Sequence, residues 1–198
     1  TKATYCSGMR ALIEHPEERR KLLDDPSLIP QAVEESLRMF PAFAHFRRTA
    51  NADVELNGTK IREGEKVVMY YGAANRDPAM FENPDQLDVT RANAAKHIAF
   101  GYGPHTCIGK RVAQIQLEEA YRQILARFPD LNWTGNIEIA PNNFVHAISK
   151  LGVKRGQGGC GAFIRLFDCW KIARNRPCRN PPSRPCCTTS RTGSRRSP

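Results

Sequence analysis

The chain is 198 residues long, and its 30 lysines and arginines against 20 acidic residues give it a formal net charge of +10. No stretch reaches the roughly 18 apolar residues that a membrane-spanning helix needs, and the start lacks the basic flank and apolar run of a secretory signal. Residues 1–154 contain only Cys6 and Cys107, which indicates a reducing compartment, and we predict a cytoplasmic protein with no membrane span.

The basic charge is concentrated at the C-terminal end. Residues 155–198 contain 10 lysines and arginines and one acidic residue, Asp168, so they sum to +9, whereas residues 1–154 sum to +1. The same segment has five of the seven cysteines, namely Cys160, Cys169, Cys178, Cys186 and Cys187. We therefore predict a folded domain over 1–154 and a basic tail over 155–198, whose Arg, Pro, Ser and Gly content predicts disorder.

Three hypotheses account for this tail. The abrupt change in composition favours an extension that is foreign to the folded domain, produced by readthrough or by a shifted reading frame. The first alternative is a basic segment that binds nucleic acid or an anionic surface by charge. The second is a cysteine-rich metal site, although the spacings of Cys160, Cys169 and Cys178 match no zinc pattern. For the protein as a whole, we do not expect a nucleic-acid partner.

Helices are predicted at the start of the chain. Apolar periodicity predicts a helix that ends near His15, a second that begins at Pro16 and is stopped by residues 24–26, and a third over residues 30–40. The pattern then changes, because Asn57-Gly58 between short apolar alternations predicts a β-hairpin. Residues 65–71 predict a largely buried strand.

The second half of the domain contains one long helix. Residues 75–97 predict a long irregular segment, and such segments in compact domains are usually functional. Residues 108–128 predict the longest helix, with Ile108, Val112 and Ile115 in one apolar stripe. Residues 131–155 suit short strands and turns. The predicted fold is mainly α with small β-sheets.

Cys107 stands immediately before this long helix, in the segment 99–111, AFGYGPHTCIGKR. A thiolate is favoured at a helix N-terminus, where free N–H groups and the helix dipole stabilise negative charge. Glycines in the loop let the backbone pass close to a flat or bulky group. With no second cysteine nearby, a four-ligand zinc site is poorly supported, whereas an axial thiolate to haem iron needs one cysteine only.

Three motifs resemble the cytochromes P450. Residues 100–109, FGYGPHTCIG, resemble the family's haem-binding loop, Phe-Gly-x-Gly-x-x-x-Cys-x-Gly. Glu35 and Arg38 match its Glu-x-x-Arg helix, and residues 83–91, NPDQLDVTR, match its meander, which ends at Arg91. The resemblance covers residues 1 to about 154 and implies the C-terminal half of the P450 fold. The sequence around these motifs is similar to that of soluble bacterial members, especially actinobacterial sterol and lipid-tail hydroxylases.

The resemblance implies a cofactor and residues that hold it. The cofactor would be haem b, iron protoporphyrin IX, with Cys107 as the axial ligand of the iron. His105 and Arg48 would bind the haem propionates, Phe100 would pack near the sulfur, and Gly101 and Gly109 would allow close approach to the porphyrin. Glu35, Arg38 and Arg91 would form a buried charge triad. Without the motifs, Cys107 would be interpreted as a buried apolar cysteine and His105 as a loop histidine. Glu35 and Arg38 would be an ordinary i,i+3 helix pair.

The resemblance also implies an activity. Family members insert one oxygen atom from O₂ into an organic substrate, here expected to be a small hydrophobic molecule that is lipid-like or steroid-like. Electrons would come from NAD(P)H through a reductase and a ferredoxin-type donor, which would dock near Lys110 and Arg111. The acid–alcohol pair that delivers protons would lie upstream of Thr1, so no catalytic residue is assigned. The alternatives are a non-catalytic haem-binding module and an inactive truncated product with a basic interaction tail.

Overall fold

The computed structural model of the chain describes residues 1–146, 148–155 and 164–165, and of these it gives only the backbone at 134–136, 149–150, 154–155 and 164–165. The helices, in chain order, are α1 (Lys2–Glu14), α2 (Pro16–Asp24), α3 (Ile29–Met39), α4 (Tyr71–Ala74) and α5 (Lys110–Arg127). Short 3₁₀ turns lie at Pro26–Leu28, Ala94–Lys96 and Gly103–His105. Pro16 opens α2 as predicted, because its missing N–H and fixed φ suit the first helical position.

The strands form small antiparallel sheets. Strand β1 (His45–Thr49) pairs with β4 (Lys66–Tyr70) in one two-stranded sheet. The chain between these strands forms a second sheet, in which β2 (Val54–Leu56) pairs with β3 (Thr59–Ile61). At the tip of the second pair, Asn57 and Gly58 both have positive φ, 49° and 77°, which is the backbone of the predicted two-residue hairpin turn. Strand β5 (Leu131–Ile139) pairs with β6 (Ile148–Arg155), whose other edge carries β7 (Ile164–Arg165).

The apolar core lies where α1, α2, α3 and α5 meet the β5–β6 pair. Its fully buried side chains include Met9, Leu12, Leu22, Ile29, Val33, Leu117, Tyr121, Leu131 and Val153. Helices α1, α3 and α5 approach one another closely at Gly8, where the Tyr121 hydroxyl donates to Ser36 Oγ over 2.9 Å. The predicted fold class, helices with small sheets, is confirmed.

One prediction of burial was wrong. Strand β4 was expected to be largely buried, but its side chains alternate between exposed and half-buried, because the two-stranded sheet is covered on one face only. The apolar stripe of Ile108, Val112 and Ile115 is exposed, because α5 packs on the core through its other face, which carries Leu117 and Tyr121; Ile108 and Val112 border a cavity.

The C-terminal tail falls mostly outside the described residues. Of the predicted tail, 155–198, only Arg155 and the short strand β7 are described, and the composition does not predict this strand. The boundary at 154 and the three hypotheses for the tail therefore stay predictions. Among the helices that the structure describes, none is long and apolar enough to cross a membrane.

Candidate cofactor site

Backbone hydrogen bonds fix the loop that carries Cys107. The Cys107 N–H donates to the Phe100 carbonyl over 2.9 Å, and the Cys107 carbonyl accepts from the Lys110 N–H over 3.1 Å. Between Phe100 and Cys107 the chain makes a single 3₁₀ turn, Gly103–His105. The loop therefore delivers the exposed Cys107 thiol to the start of α5.

Gly101 is required by the geometry of this loop. Its φ is +76°, and an added Cβ would lie 3.3 Å from the His105 carbonyl oxygen and 3.4 Å from the Tyr71 hydroxyl. A side chain at Gly101 would therefore be both strained and crowded. At Gly109, by contrast, an added Cβ would lie 3.7 Å from Cys107 Sγ, which is an ordinary contact. The predicted reason for Gly109, close approach of a porphyrin, stays a prediction.

A cavity of about 900 Å³ opens beside Cys107. Five of the six residues predicted to bind the cofactor line it: Cys107, His105, Arg48, Phe100 and Gly109; Gly101 is not among the lining residues. Much of the remaining wall is apolar and includes Leu37, Ala42, Phe43, Phe46 and Val112, and Thr1 and Thr4 also border the space. The volume lies in the range of small-molecule and cofactor sites.

The cavity combines an apolar wall with two groups that can be cationic. Within the described part of the chain, Arg48 makes no salt bridge, and its guanidinium donates to the Arg47 carbonyl over 3.0 Å. His105 is exposed in the loop on the cavity wall. A flat apolar ring that carries carboxylates and takes one thiolate ligand fits this set of residues, because each part of it meets a matching group.

The described residues offer no competing metal site of protein ligands. Among them, no group of three or more His, Cys, Asp and Glu side chains could hold a metal ion. Cys107 is therefore not part of a cluster of three or more such side chains among the described residues. Such a donor set suits an axial ligand and does not suit a four-coordinate zinc site.

Glu35 lies between two arginines, away from the cavity. Arg38, one helical turn later on α3, forms a bidentate pair with it: Nε donates to Oε2 over 2.7 Å and Nη2 to Oε1 over 2.8 Å. Arg91 Nε donates to Glu35 Oε1 over 3.1 Å. Glu35 and Arg38 are 0% exposed and Arg91 is 8% exposed, so this charge triad is buried as a unit.

The triad holds the irregular segment against α3. Arg38 Nη1 donates to the carbonyls of Asn75 (2.9 Å) and Pro84 (2.7 Å), and Arg91 Nη1 donates to that of Glu82 (2.6 Å). A buried ion pair stabilises a fold only when its remaining donors are also satisfied, and here they are. The three residues of the triad thus act on the path of the chain and do not line the cavity.

A second buried polar cluster lies behind the cysteine loop, and no sequence motif predicted it. The His97 side chain is 1% exposed, accepts from the Ala99 N–H at Nδ1 over 3.1 Å, and lies 3.1 Å at Nε2 from Glu34 Oε2. Glu34 Oε1 accepts from Gln114 of α5. Burial favours the neutral acid, but the hydrogen bonds from His97 and Gln114 and the nearby charge of Lys110 outweigh it and hold the pKa of Glu34 below its ordinary value.

Comparison with known proteins decides the family. The family model described as Cytochrome P450 matches residues 11–142. The chain belongs to the cytochrome P450 family. The resemblance stated from the three sequence motifs is thereby confirmed. Haem is the cofactor that this family implies, so membership agrees with the donor set at Cys107.

Several bacterial P450s are similar to this chain. It is 43% identical over 137 residues to the 20-oxo-5-O-mycaminosyltylactone 23-monooxygenase of Streptomyces fradiae, over 69% of this chain and 32% of that protein. The structure of P450BioI in complex with hexadec-9Z-enoic acid ligated acyl carrier protein superposes with a TM-score of 0.74 at 37% identity, over 78% of this chain and 41% of that one. CYP109E1 from Bacillus megaterium in complex with testosterone gives 0.73 at 28% identity, over 78% and 43%. The chain spans about a third of the length of the curated relatives it matches.

Proposed function

We propose that the chain forms the haem-thiolate part of a cytochrome P450 monooxygenase, with haem b in the cavity and Cys107 as the axial ligand of its iron. The observation that carries the proposal is the exposed Cys107 thiol at the start of α5, on the wall of a cavity of about 900 Å³. When bound, a haem with a thiolate ligand supplies the activation of O₂ by which one oxygen atom enters an organic substrate.

In this proposal Cys107 binds the iron as a thiolate, from a loop at the start of a long helix. Helix α5 begins at Lys110, three residues later, and the N-terminal end of a helix stabilises nearby negative charge. The Cys107 N–H is already bonded to the Phe100 carbonyl, so the backbone at Cys107 is held before any cofactor binds. The chain therefore presents its ligand on a prearranged loop.

Arg48 and His105 would bind the carboxylates of the cofactor. Both line the cavity, Arg48 from strand β1 and His105 from the cysteine loop. The Arg48 guanidinium uses one of its donors on the neighbouring Arg47 carbonyl, which leaves others for a propionate. Phe100 would supply apolar contact near the sulfur, since its carbonyl and ring lie at the base of the same loop.

The substrate in this proposal is a small hydrophobic molecule of lipid-like or steroid-like shape. Phe43 and Phe46 stand on the cavity wall with their ring centroids 5.3 Å apart, and Phe144 packs on both of them. Such a surface binds apolar molecules by burial of area and offers few hydrogen bonds. The fatty-acyl and testosterone complexes of the two similar structures support this class of substrate.

The partners in this proposal are O₂ and a ferredoxin-type donor with its NAD(P)H reductase, in the cytoplasm. Arg111 is exposed at the start of α5, and its Nη1 lies 3.8 Å from Glu118 Oε1. The ammonium group of the neighbouring Lys110 lies 5.9 Å from the centre of the Phe100 ring. Both cations lie close to Cys107 in the chain. Positive charge there would attract an acidic protein to the side of the fold that holds the ligand.

The test is the absorption spectrum of the reduced carbon monoxide complex of the full chain after addition of haem. We expect the red-shifted band that is specific to thiolate ligation in the wild type and in Cys6→Ala, since Cys6 is buried away from the cavity. Cys107→Ala should lose the band. A folded wild type without the band, or a Cys107→Ala variant that keeps it, would refute the proposal. With a ferredoxin and its NAD(P)H reductase added, substrate-dependent consumption of NAD(P)H then separates a monooxygenase from a haem-binding module without turnover.

A further inference from the structure

The cysteine loop is attached to the rest of the fold through the backbone of residues 98–100. The Phe100 carbonyl accepts the Cys107 N–H over 2.9 Å, and the Ile98 carbonyl accepts the Gly101 N–H over 2.8 Å. A contact that holds residues 98–100 in place therefore also constrains Cys107, through the hydrogen bond from the Cys107 N–H to the Phe100 carbonyl.

Two buried side chains hold this short backbone segment. The Ile98 N–H donates to Asn75 Oδ1 over 2.9 Å, and Asn75 in turn donates from Nδ2 to the Arg38 carbonyl over 3.1 Å. The next N–H, that of Ala99, donates to His97 Nδ1 over 3.1 Å. Successive amides are thus bound by side chains, so neither can shift without breaking a buried hydrogen bond.

His97 connects this segment to α3 and, through Glu34, to α5. Because Nδ1 accepts from Ala99, the hydrogen-bond pattern assigns the ring proton to Nε2, which donates to Glu34 of α3. The other oxygen of Glu34 accepts from Gln114 of α5. The His97 ring also packs on Phe100, with ring centroids 5.8 Å apart. The imidazole therefore joins α3 to the base of the cysteine loop, and Glu34 extends this connection to α5.

We propose that His97 is a positioning residue for the cysteine loop. Together with Glu34 it fixes the backbone of Ala99 and Phe100, so that the Phe100 carbonyl is in position to accept the Cys107 N–H. The consequence for a cofactor rests on the proposed function, but the positioning itself does not require haem. His97 does not line the cavity, so it acts through the Ala99 amide and through its ring contact with Phe100.

Substitutions at His97 can separate its two hydrogen bonds. His97→Asn keeps a side-chain acceptor for the Ala99 N–H, as in an Asx turn, but does not reach Glu34. His97→Gln extends an amide toward Glu34 but loses the short bond to Ala99. His97→Phe keeps an aromatic ring against Phe100 and loses both bonds. Tyr121→Phe is the matched control, since it removes a buried hydrogen bond between α3 and α5 without touching residues 97–107.

The measurement is amide hydrogen exchange of the full chain without haem. We expect exchange at Cys107 to be at least about 10-fold faster in His97→Phe, with the amides of Leu117 and Ile124 in α5 unchanged. His97→Asn should restore part of the protection at Cys107, and His97→Gln less of it. Equal exchange at Cys107 in His97→Phe and Tyr121→Phe would overturn the proposal.

If His97→Phe fails to fold, the comparison of His97→Asn with His97→Gln decides, and equal protection at Cys107 in these two would overturn it.

A second measurement uses the chain loaded with haem. The share of the reduced carbon monoxide complex that shows the thiolate band should fall in His97→Phe and stay at the wild-type value in Tyr121→Phe. An unchanged share in His97→Phe would contradict a positioning role. If the wild type gives no thiolate band at all, the proposed function fails, while amide exchange at Cys107 still decides the role of His97.

Discussion

Replacement of Gly8 by alanine should destabilise the fold, although alanine is the better helix former. Gly8 lies within α1, where a Gly→Ala change ordinarily stabilises by about 1 kcal/mol. Here the new Cβ would lie 2.0 Å from the Tyr121 hydroxyl oxygen and 2.9 Å from Ser36 Oγ. Tyr121 is 0% exposed and its ring is rigid, so the hydroxyl cannot move aside without a shift of α5 relative to α1.

The magnitude follows from the competing effects. Overpacking of a dense core costs about 1–3 kcal/mol. A shift of Tyr121 would also break its 2.9 Å hydrogen bond to Ser36, worth about 1 kcal/mol. The helix-forming advantage of alanine offsets about 1 kcal/mol of this. We therefore expect Gly8→Ala to lower the free energy of unfolding by about 2 kcal/mol.

Urea unfolding of the full chain, followed by circular dichroism, measures this change, and a double variant identifies its cause. Tyr121→Phe removes the hydroxyl that the new methyl group would meet, so Gly8→Ala/Tyr121→Phe should be more stable than Gly8→Ala alone. Gly72→Ala is the matched control, because its nearest neighbour would be an arginine nitrogen 3.9 Å away. The reasoning is refuted if Gly8→Ala unfolds at the wild-type urea concentration, or if the double variant gains nothing over it.

Three further predictions concern charge and backbone. Glu35→Gln leaves the buried Arg38 and Arg91 guanidiniums without a counter-charge, so the free energy of unfolding from urea titration should fall by about 3–5 kcal/mol; a loss below 1 kcal/mol would show that the triad does not act as a buried ion pair. Gly58→Ala places a side chain at φ +77° in an exposed turn and should lower the stability by about 1 kcal/mol, with no change expected if the turn rearranges freely. The lowered pKa of Glu34 in the folded chain means that its ionised form stabilises the fold above the ordinary carboxyl pKa, and this stabilisation is lost as the pH falls through the lower, folded pKa. The stability difference between wild type and Glu34→Gln should therefore be largest near pH 7 and shrink under acid conditions, and a difference independent of pH would contradict this.

Much of the fold was readable because its local signals are strong and agree with one another. Pro16 opens α2, Asn57-Gly58 forms the hairpin turn, and Pro129 follows the end of α5, each for a reason that lies within a few residues of chain. The third helix starts at Ile29 where residue 30 was predicted, which is within the usual uncertainty of helix ends.

The His97 cluster could not be predicted in the same way. His97 and Glu34 are 63 residues apart, and Asn75 reaches Ile98 across 23 residues. Each of them is a single polar residue with no periodic pattern around it. Only the packing of α3 against the segment before the cysteine loop brings them together, and that packing depends on tertiary structure.

Helix α5 shows that an apolar stripe read from the sequence does not by itself predict burial. Leu117 and Tyr121 are buried in the core, whereas Val112, on the other face of the helix, and Ile108, just before its start, are exposed. Both sets follow the 3.6-residue spacing of a helix. Periodicity indicates which side chains share a face, but not what that face contacts. Exposed apolar side chains that border a cavity are typical of a ligand-binding surface. Under the proposed function, Ile108 and Val112, which border the cavity, are side chains that the cofactor would cover.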